Sequence, residues 1–110
     1  MLKPFRFSVI DKAPNTPGVY VFFLRHRCIY VGKTEVSLRQ RLTQHWVGSH
    51  NRKLRTYLDA NGKELKICYK DINQSGMIDV WERYCIKTYQ PVANDIMYRS
   101  ATVNTPLECQ

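Results

Sequence analysis

In the stretch PGVYVFFLRHRCIYVGKTEVSLRQRL, residues 17–42, Tyr20 and Tyr30 stand in apolar surroundings on either side of Arg25-His26-Arg27. Lys33 follows, then Arg39 and Arg41. A phenol has a pKa of about 10, so it accepts a proton at neutral pH only with a cation beside it. An arginine fork matches phosphate geometry and stays charged, which suits an anionic transition state at phosphorus. Further on, Glu82 lies beside Trp81 inside an otherwise apolar and aromatic run. A carboxylate in that setting needs a cationic partner or a metal. Magnesium takes one or two protein carboxylates and fills its other positions with water and phosphate oxygens. Asn94 comes twelve residues later, after Pro91. Taken singly, each group has a plainer use: strand aromatics, a solvated helix charge, a turn-shaping asparagine.

For these groups to meet, the chain between them must fold them together. Residues 18–24 and 28–33 are rich in Val, Ile, Tyr and Phe and predict a β-hairpin. Alternation puts Tyr20, Phe22 and Leu24 on one side of the first strand, and Cys28, Tyr30 and Gly32 on one side of the second. Pairing Tyr20 opposite Tyr30 sets the phenols side by side, and a one-residue slip separates them; the register stays open. Gly32 lets a substrate backbone approach closely, and Lys33 emerges at the strand end.

Thr34 or Ser37 can cap the next helix, with Gln40 three residues past Ser37 as in a capping box. Val36, Leu38, Leu42 and Trp46 carry it to Val47, and Gly48-Ser49 breaks it. Arg41 and His45, four apart, are neighbours on one face, with Arg39 pointing elsewhere. A second helix fits 51–60, with Leu54, Tyr57 and Leu58 on one face, and a third strand fits 64–70. A last helix spans 77–89, its stripe formed by Met77, Trp81, Tyr84 or Cys85, and Thr88, until Pro91 ends it. The expected fold is α+β: a small, three-stranded, largely antiparallel sheet flanked by helices in the order β-β-α-α-β-α. Residues 1–16 read as a lead-in, 17–95 as the working domain and 96–110 as a tail of unknown role.

The bulk properties narrow the class. One domain is expected from 110 residues, and +8 net charge, 17 Lys and Arg against 9 Asp and Glu, favours a polyanionic partner. No apolar run approaches the ~20 residues of a membrane span, and charges with a proline interrupt the N-terminus. No membrane and a cytoplasmic location are therefore expected. Four cysteines without Cys-x-x-Cys spacing argue against zinc or a disulfide framework and for reduced, buried thiols.

Together, GVY, YVGK, the helix with LRQRL, Glu82 and YQPVAN resemble the GIY-YIG nuclease family, which includes the incision domain of bacterial excision-repair nucleases and homing endonucleases. The resemblance covers residues 17–95 in order. It implies a divalent-metal-dependent endonuclease that hydrolyses DNA as a stand-alone domain with Mg2+ or Mn2+, leaving 5′-phosphate and 3′-hydroxyl. Residue by residue, it implies that Tyr20, in preference to Tyr30, takes the proton of the attacking water, with Lys33 nearby to favour the phenolate. Arg41 matches the phosphate-stabilising arginine, Glu82 the metal-binding carboxylate and Asn94 an ordering residue; His45 would assist the leaving group or contact phosphate from the surface. The stretch from Tyr30 to the arginine is one residue longer than in the repair enzymes, so Arg41 is assigned through the LRQRL frame. Arg25, Arg27, Arg39, Arg52, Lys53 and Arg55 would grip DNA through its phosphates. A homodimer or a specificity-giving protein partner would then select the site of cutting. Two alternatives stand beside this: a catalytically silent nucleic-acid-binding module, and a sequence-specific restriction or homing endonuclease.

Overall fold

The computed structural model describes residues 2–74 and 76–94; the tail expected over 96–110 lies outside them. The predicted hairpin is present as β2 (Gly18–Leu24) and β3 (Arg27–Thr34), joined by Arg25-His26. Arg25 takes φ 58°, the left-handed conformation that tight hairpin turns demand and that usually selects glycine. β4 (Leu65–Asp71) pairs antiparallel with the other side of β2. The lead-in holds more structure than expected. Lys3–Pro4 forms a short strand, β1, on the outer edge of β4, and Phe7–Ile10 forms one helical turn, α1. The sheet is therefore four-stranded, in the order β1-β4-β2-β3, where three strands were expected. Two residues are too few to display an alternating pattern, so β1 leaves no periodic trace in the sequence.

Helices cover both faces. Tyr20, Phe22, Leu65 and Ile67 face a core completed by Leu38 and Leu42 of α2 (Leu38–Gly48), Leu54 of α3 (Arg52–Asn61), Phe5 and Ile10. Val19, Val21, Val31 and Cys68 face Ile78, Cys85 and Ile86 of α4 (Met77–Tyr89). Each fully buried Val, Leu, Ile or Phe among these contributes about 1.5–3 kcal/mol. Register shifts within the hairpin: Phe22 pairs with Tyr30 but Phe23 pairs with Cys28, so Ile29 forms a β-bulge. The extra residue turns Cys28 toward the α4 side while Tyr30 stays on the α2 side. Cys28 and Tyr30 thus do not share a face, as strict alternation had suggested.

The helix starts follow the caps. Ser37 Oγ accepts the Gln40 N–H at 3.1 Å, and Asn51 Oδ1 accepts the Leu54 N–H at 2.8 Å. The buried stripe of α2 is Leu38, Leu42 and His45, whereas Val36 and Trp46 are exposed. On α4 the buried stripe runs through Ile78, Cys85 and Ile86 with Trp81 packed against it; Cys85 and Trp81 were expected there, whereas Met77 is exposed and Ile78 takes its place. Cys28 and Cys85 are free buried thiols; Cys68 is disulfide-bonded, so the expectation of reduced thiols fails there. Among the described residues, no helix is long and apolar enough to cross a membrane.

Candidate active site

Tyr20 pairs with Gly32, and Tyr30 with Phe22. The two phenols are thus diagonal neighbours on one face, their ring centroids 6.3 Å apart, and not directly opposite. Gly32 has a specific use. A Cβ at that position would overlap the ring and hydroxyl of Tyr20, so the missing side chain makes room for the phenol itself. Substrate approach, the use expected for Gly32, is not where its space goes. The Tyr20 hydroxyl meets His45 Nε2 at 2.7 Å, and His45 Nδ1 meets Ser49 Oγ at 2.9 Å. His45 is 8% exposed, which corrects its expected place on the surface. It occupies the third position of the buried α2 stripe, seven residues after Leu38, where Trp46 had been expected to continue it.

Burial fixes the charge states here. Desolvation drives the Tyr20 pKa far above that of a free phenol, reinforced by Tyr30 and Glu82 and opposed by Arg41. Burial, then the charges of Arg41 and His50, holds His45 down at about 4, so its ring is neutral at pH 7. Lys33 does not attend Tyr20, as had been expected. Its ammonium pairs with Asp79 in the first turn of α4, and that bond raises its pKa. The cation that acts on Tyr20 is Arg41, which is exposed and whose side chain has no ion-pair or hydrogen-bond partner among the described residues.

Glu82 is half-buried on α4, four residues after Ile78 and three before Cys85. It too has no hydrogen bond or ion pair among the described residues. Burial raises its pKa, with Lys33 opposing, Asp79 adding and Arg83 opposing. A half-buried carboxylate left without a partner suits a cation that arrives with its own water. No cluster of three or more His, Cys, Asp or Glu exists among the described residues, so structural zinc, which takes four protein ligands, does not fit there. Lys33 and Glu82 belong to the α4 side of the sheet, Tyr20 and His45 to the α2 side. The charge of Glu82 nevertheless reaches the Tyr20 hydroxyl and raises its pKa.

Asn94 closes the edge of β3. Its Oδ1 accepts the Val31 N–H and its Nδ2 donates to the Val31 carbonyl, both at 2.9 Å. Ala93 N–H donates to the Ile29 carbonyl at 2.8 Å. The segment after Pro91 thereby acts as a stub of extra strand that holds Val31, between Tyr30 and Gly32, in place. Of the basic residues, Arg39 donates from Nε to the Ala13 carbonyl and Arg25 pairs with Glu64 at 3.2 Å. Arg27, Arg52, Lys53 and Arg55 are exposed. Sequence reasoning missed Asp79, although an acid in a first helical turn was visible, and it missed Ser49 and Asn51 at the α2–α3 corner.

Tyr20 on interior strand β2 and Tyr30 on edge strand β3 thus share one face of the sheet. The family model for the GIY-YIG catalytic domain matches residues 16–96, and the chain belongs to that family. It carries a GIY-YIG catalytic domain. UvrABC system protein C from Hydrogenobaculum sp. is 29% identical over 90 residues, covering 82% of this chain and 15% of the relative. The protein of the same name from Fervidobacterium nodosum is 29% identical over 91 residues, covering 83% and 15%. The chain therefore spans about 15% of the length of these curated relatives. The crystal structure of the GIY-YIG N-terminal endonuclease domain of UvrC from Thermotoga maritima, bound to its catalytic magnesium, superposes with a TM-score of 0.65 at 26% identity. That match covers 79% of this chain and 92% of the solved domain.

Proposed function

We propose that this chain hydrolyses DNA phosphodiester bonds with a divalent cation, using residues 17–95 as the catalytic unit. The observation that carries this reading is the family match over residues 16–96, within which Tyr20 packs 6.3 Å from Tyr30 and feels the charges of Arg41 and Glu82. Arg41, exposed and without an internal partner, is available to the non-bridging oxygens of a phosphate. Glu82 would hold the cation, magnesium as in the Thermotoga domain or manganese in its place. Such an ion would polarise the phosphoryl group and offset charge on the departing 3′ oxygen.

The proton of the attacking water is better assigned to Tyr30 than to Tyr20. Tyr30 is half-buried, while Tyr20 is 1% exposed and its phenolate is strongly disfavoured by desolvation. Tyr20, held over Gly32 by His45, orders the pocket as a neutral phenol. Asn94 fixes the strand that presents Tyr30. Exposed Arg52, Lys53 and Arg55 on α3 supply phosphate contacts with little base preference.

Nicking of supercoiled plasmid in magnesium tests this, with Glu82→Ala and Arg41→Ala compared with wild type. Each variant is expected to lose at least a hundredfold in rate while still retaining DNA, in keeping with the loss of one electrostatic stabiliser costing roughly 10²–10³. If wild type and variants prove equally inert yet all bind DNA, the silent binding module is the correct reading.

A further inference from the structure

The hydrogen bonds behind Tyr20 extend beyond the residues of the motifs. From Tyr20 they pass through His45 to Ser49, whose Oγ also accepts the Asn51 N–H at 3.3 Å. Asn51 in turn donates from Nδ2 to the Ala93 carbonyl at 3.0 Å, one residue before the Asn94 clamp on Val31. The α2–α3 corner is thus bonded both to the buried phenol and to the segment that holds the edge of β3.

Proton counting decides the direction of this chain. A neutral imidazole has one N–H, so it donates at one nitrogen and accepts at the other. In the first arrangement, Tyr20 donates to Nε2 and the Nδ1–H donates to Ser49, whose own O–H needs another acceptor. In the second, Ser49 donates to Nδ1 and the Nε2–H donates to Tyr20, whose O–H is then left over. Ser49, 5% exposed, lines a cleft together with Arg6, Trp46, Arg55 and Lys63, so its hydroxyl borders open space that the Tyr20 hydroxyl does not. Tyr20, at 1% exposure, has no other hydrogen-bond partner among the described residues. An unsatisfied buried hydroxyl costs about 1–3 kcal/mol, which favours the first arrangement.

We propose that Ser49 is a positioning residue of the nuclease site: it accepts the Nδ1–H of His45 and so holds the ring in the tautomer whose Nε2 receives the Tyr20 proton. This pins the Tyr20 phenol over Gly32, beside Tyr30. The catalytic consequence rests on the nuclease reading above, whereas the tautomer itself does not.

Ring-nitrogen NMR of His45 at pH 7, together with plasmid nicking, tests the assignment in wild type, Ser49→Ala and Ser49→Thr. Wild type should show a single Nδ1–H tautomer. Ser49→Ala should mix the two tautomers and lower kcat roughly tenfold, in the range for removing a partner that orients a functional histidine, with KM for DNA unchanged. Ser49→Thr, which keeps the hydroxyl, should restore both readouts. A Ser49→Ala ring that stays wholly in the Nδ1–H form, with unchanged kcat, overturns the proposal. So does a wild-type ring in the Nε2–H form, a result that needs no folded variant. Failure of wild type to cut DNA would refute the nuclease reading and leave the tautomer to be decided by the spectra.

Discussion

The Tyr20 hydroxyl and the His45 imidazole lie 2.7 Å apart, both buried, with neither carrying a charge at neutral pH. The pair makes folding sensitive to acid. Folded His45 binds its proton only near pH 4, whereas an unfolded histidine does so at about 6.5. Between those values the unfolded chain holds a proton that the folded one lacks, so stability falls as pH falls. The contribution of neutral His45 is complete above pH 6.5 and is lost toward pH 4, at about 1.4 kcal/mol per unit at most. Glu82, raised by burial, works in the opposite direction, but equally in any His45 variant. Urea midpoints measured from pH 7 to 4 should drop in wild type and drop less in His45→Gln. Parallel curves would mean that the ring is not the buried neutral base described here.

Gly32 faces the same phenol from the neighbouring strand, and it yields a sharper steric test. Gly32→Ala drives a methyl into the Tyr20 ring, the kind of overpacking that costs about 1–3 kcal/mol. Because the displaced ring also loses His45, nicking should fall by more than tenfold. Gly48→Ala is the control, since a Cβ there meets nothing within 4 Å. Its melting temperature should hold or rise slightly. Equal effects at both glycines would remove the steric account.

Much of this arrangement was visible before the fold. The hairpin, three helices and β4 announced themselves through period, caps and turn residues, as with Ser37 and Asn51 at their helix starts. What stayed hidden depends on contacts distant in sequence. The bulge at Ile29 adds one residue without altering the apolar pattern, so the pairing of Tyr20 with Gly32 could not be counted out in advance. His45 looked like a surface histidine because its partners, Tyr20 and Ser49, come from another strand and from beyond a helix break. Lys33 went to Asp79 because β3 delivers it to the α4 side, one residue past the phenol-facing glycine. The identities of the candidate groups were legible; their partners were not.

Glu82 should show the trade between stability and function. Its carboxylate is half-buried without an ion pair among the described residues, and desolvation raises its pKa. Glu82→Gln keeps the shape and removes the charge. Magnesium binding by calorimetry should disappear, and nicking should fall at least a hundredfold, within the range seen for a lost electrostatic contact. The urea midpoint should stay level or rise, as when a functional site is relieved of an unfavourable buried charge. A large loss of stability with magnesium binding intact would instead make Glu82 a structural residue.

The basic residues divide by whether the fold already uses them. Arg25 is paired with Glu64 at 3.2 Å in the hairpin turn, an exposed pair of the kind that contributes little to stability. Arg52 and Lys53 extend from α3 without ion-pair partners among the described residues. Each phosphate contact removed should lower the slope of log affinity against log salt by about 0.9. Arg52→Ala with Lys53→Ala should therefore reduce that slope by about two and weaken binding to unrelated duplexes alike. Arg25→Gly should leave the slope unchanged, because Glu64 already engages its guanidinium. It should also hold or raise the melting temperature, since glycine accepts φ 58° without the strain an L side chain meets there. Fluorescence anisotropy across a salt series separates the two sets, and a slope that falls as much for Arg25→Gly as for either α3 residue would place the hairpin turn on the DNA as well.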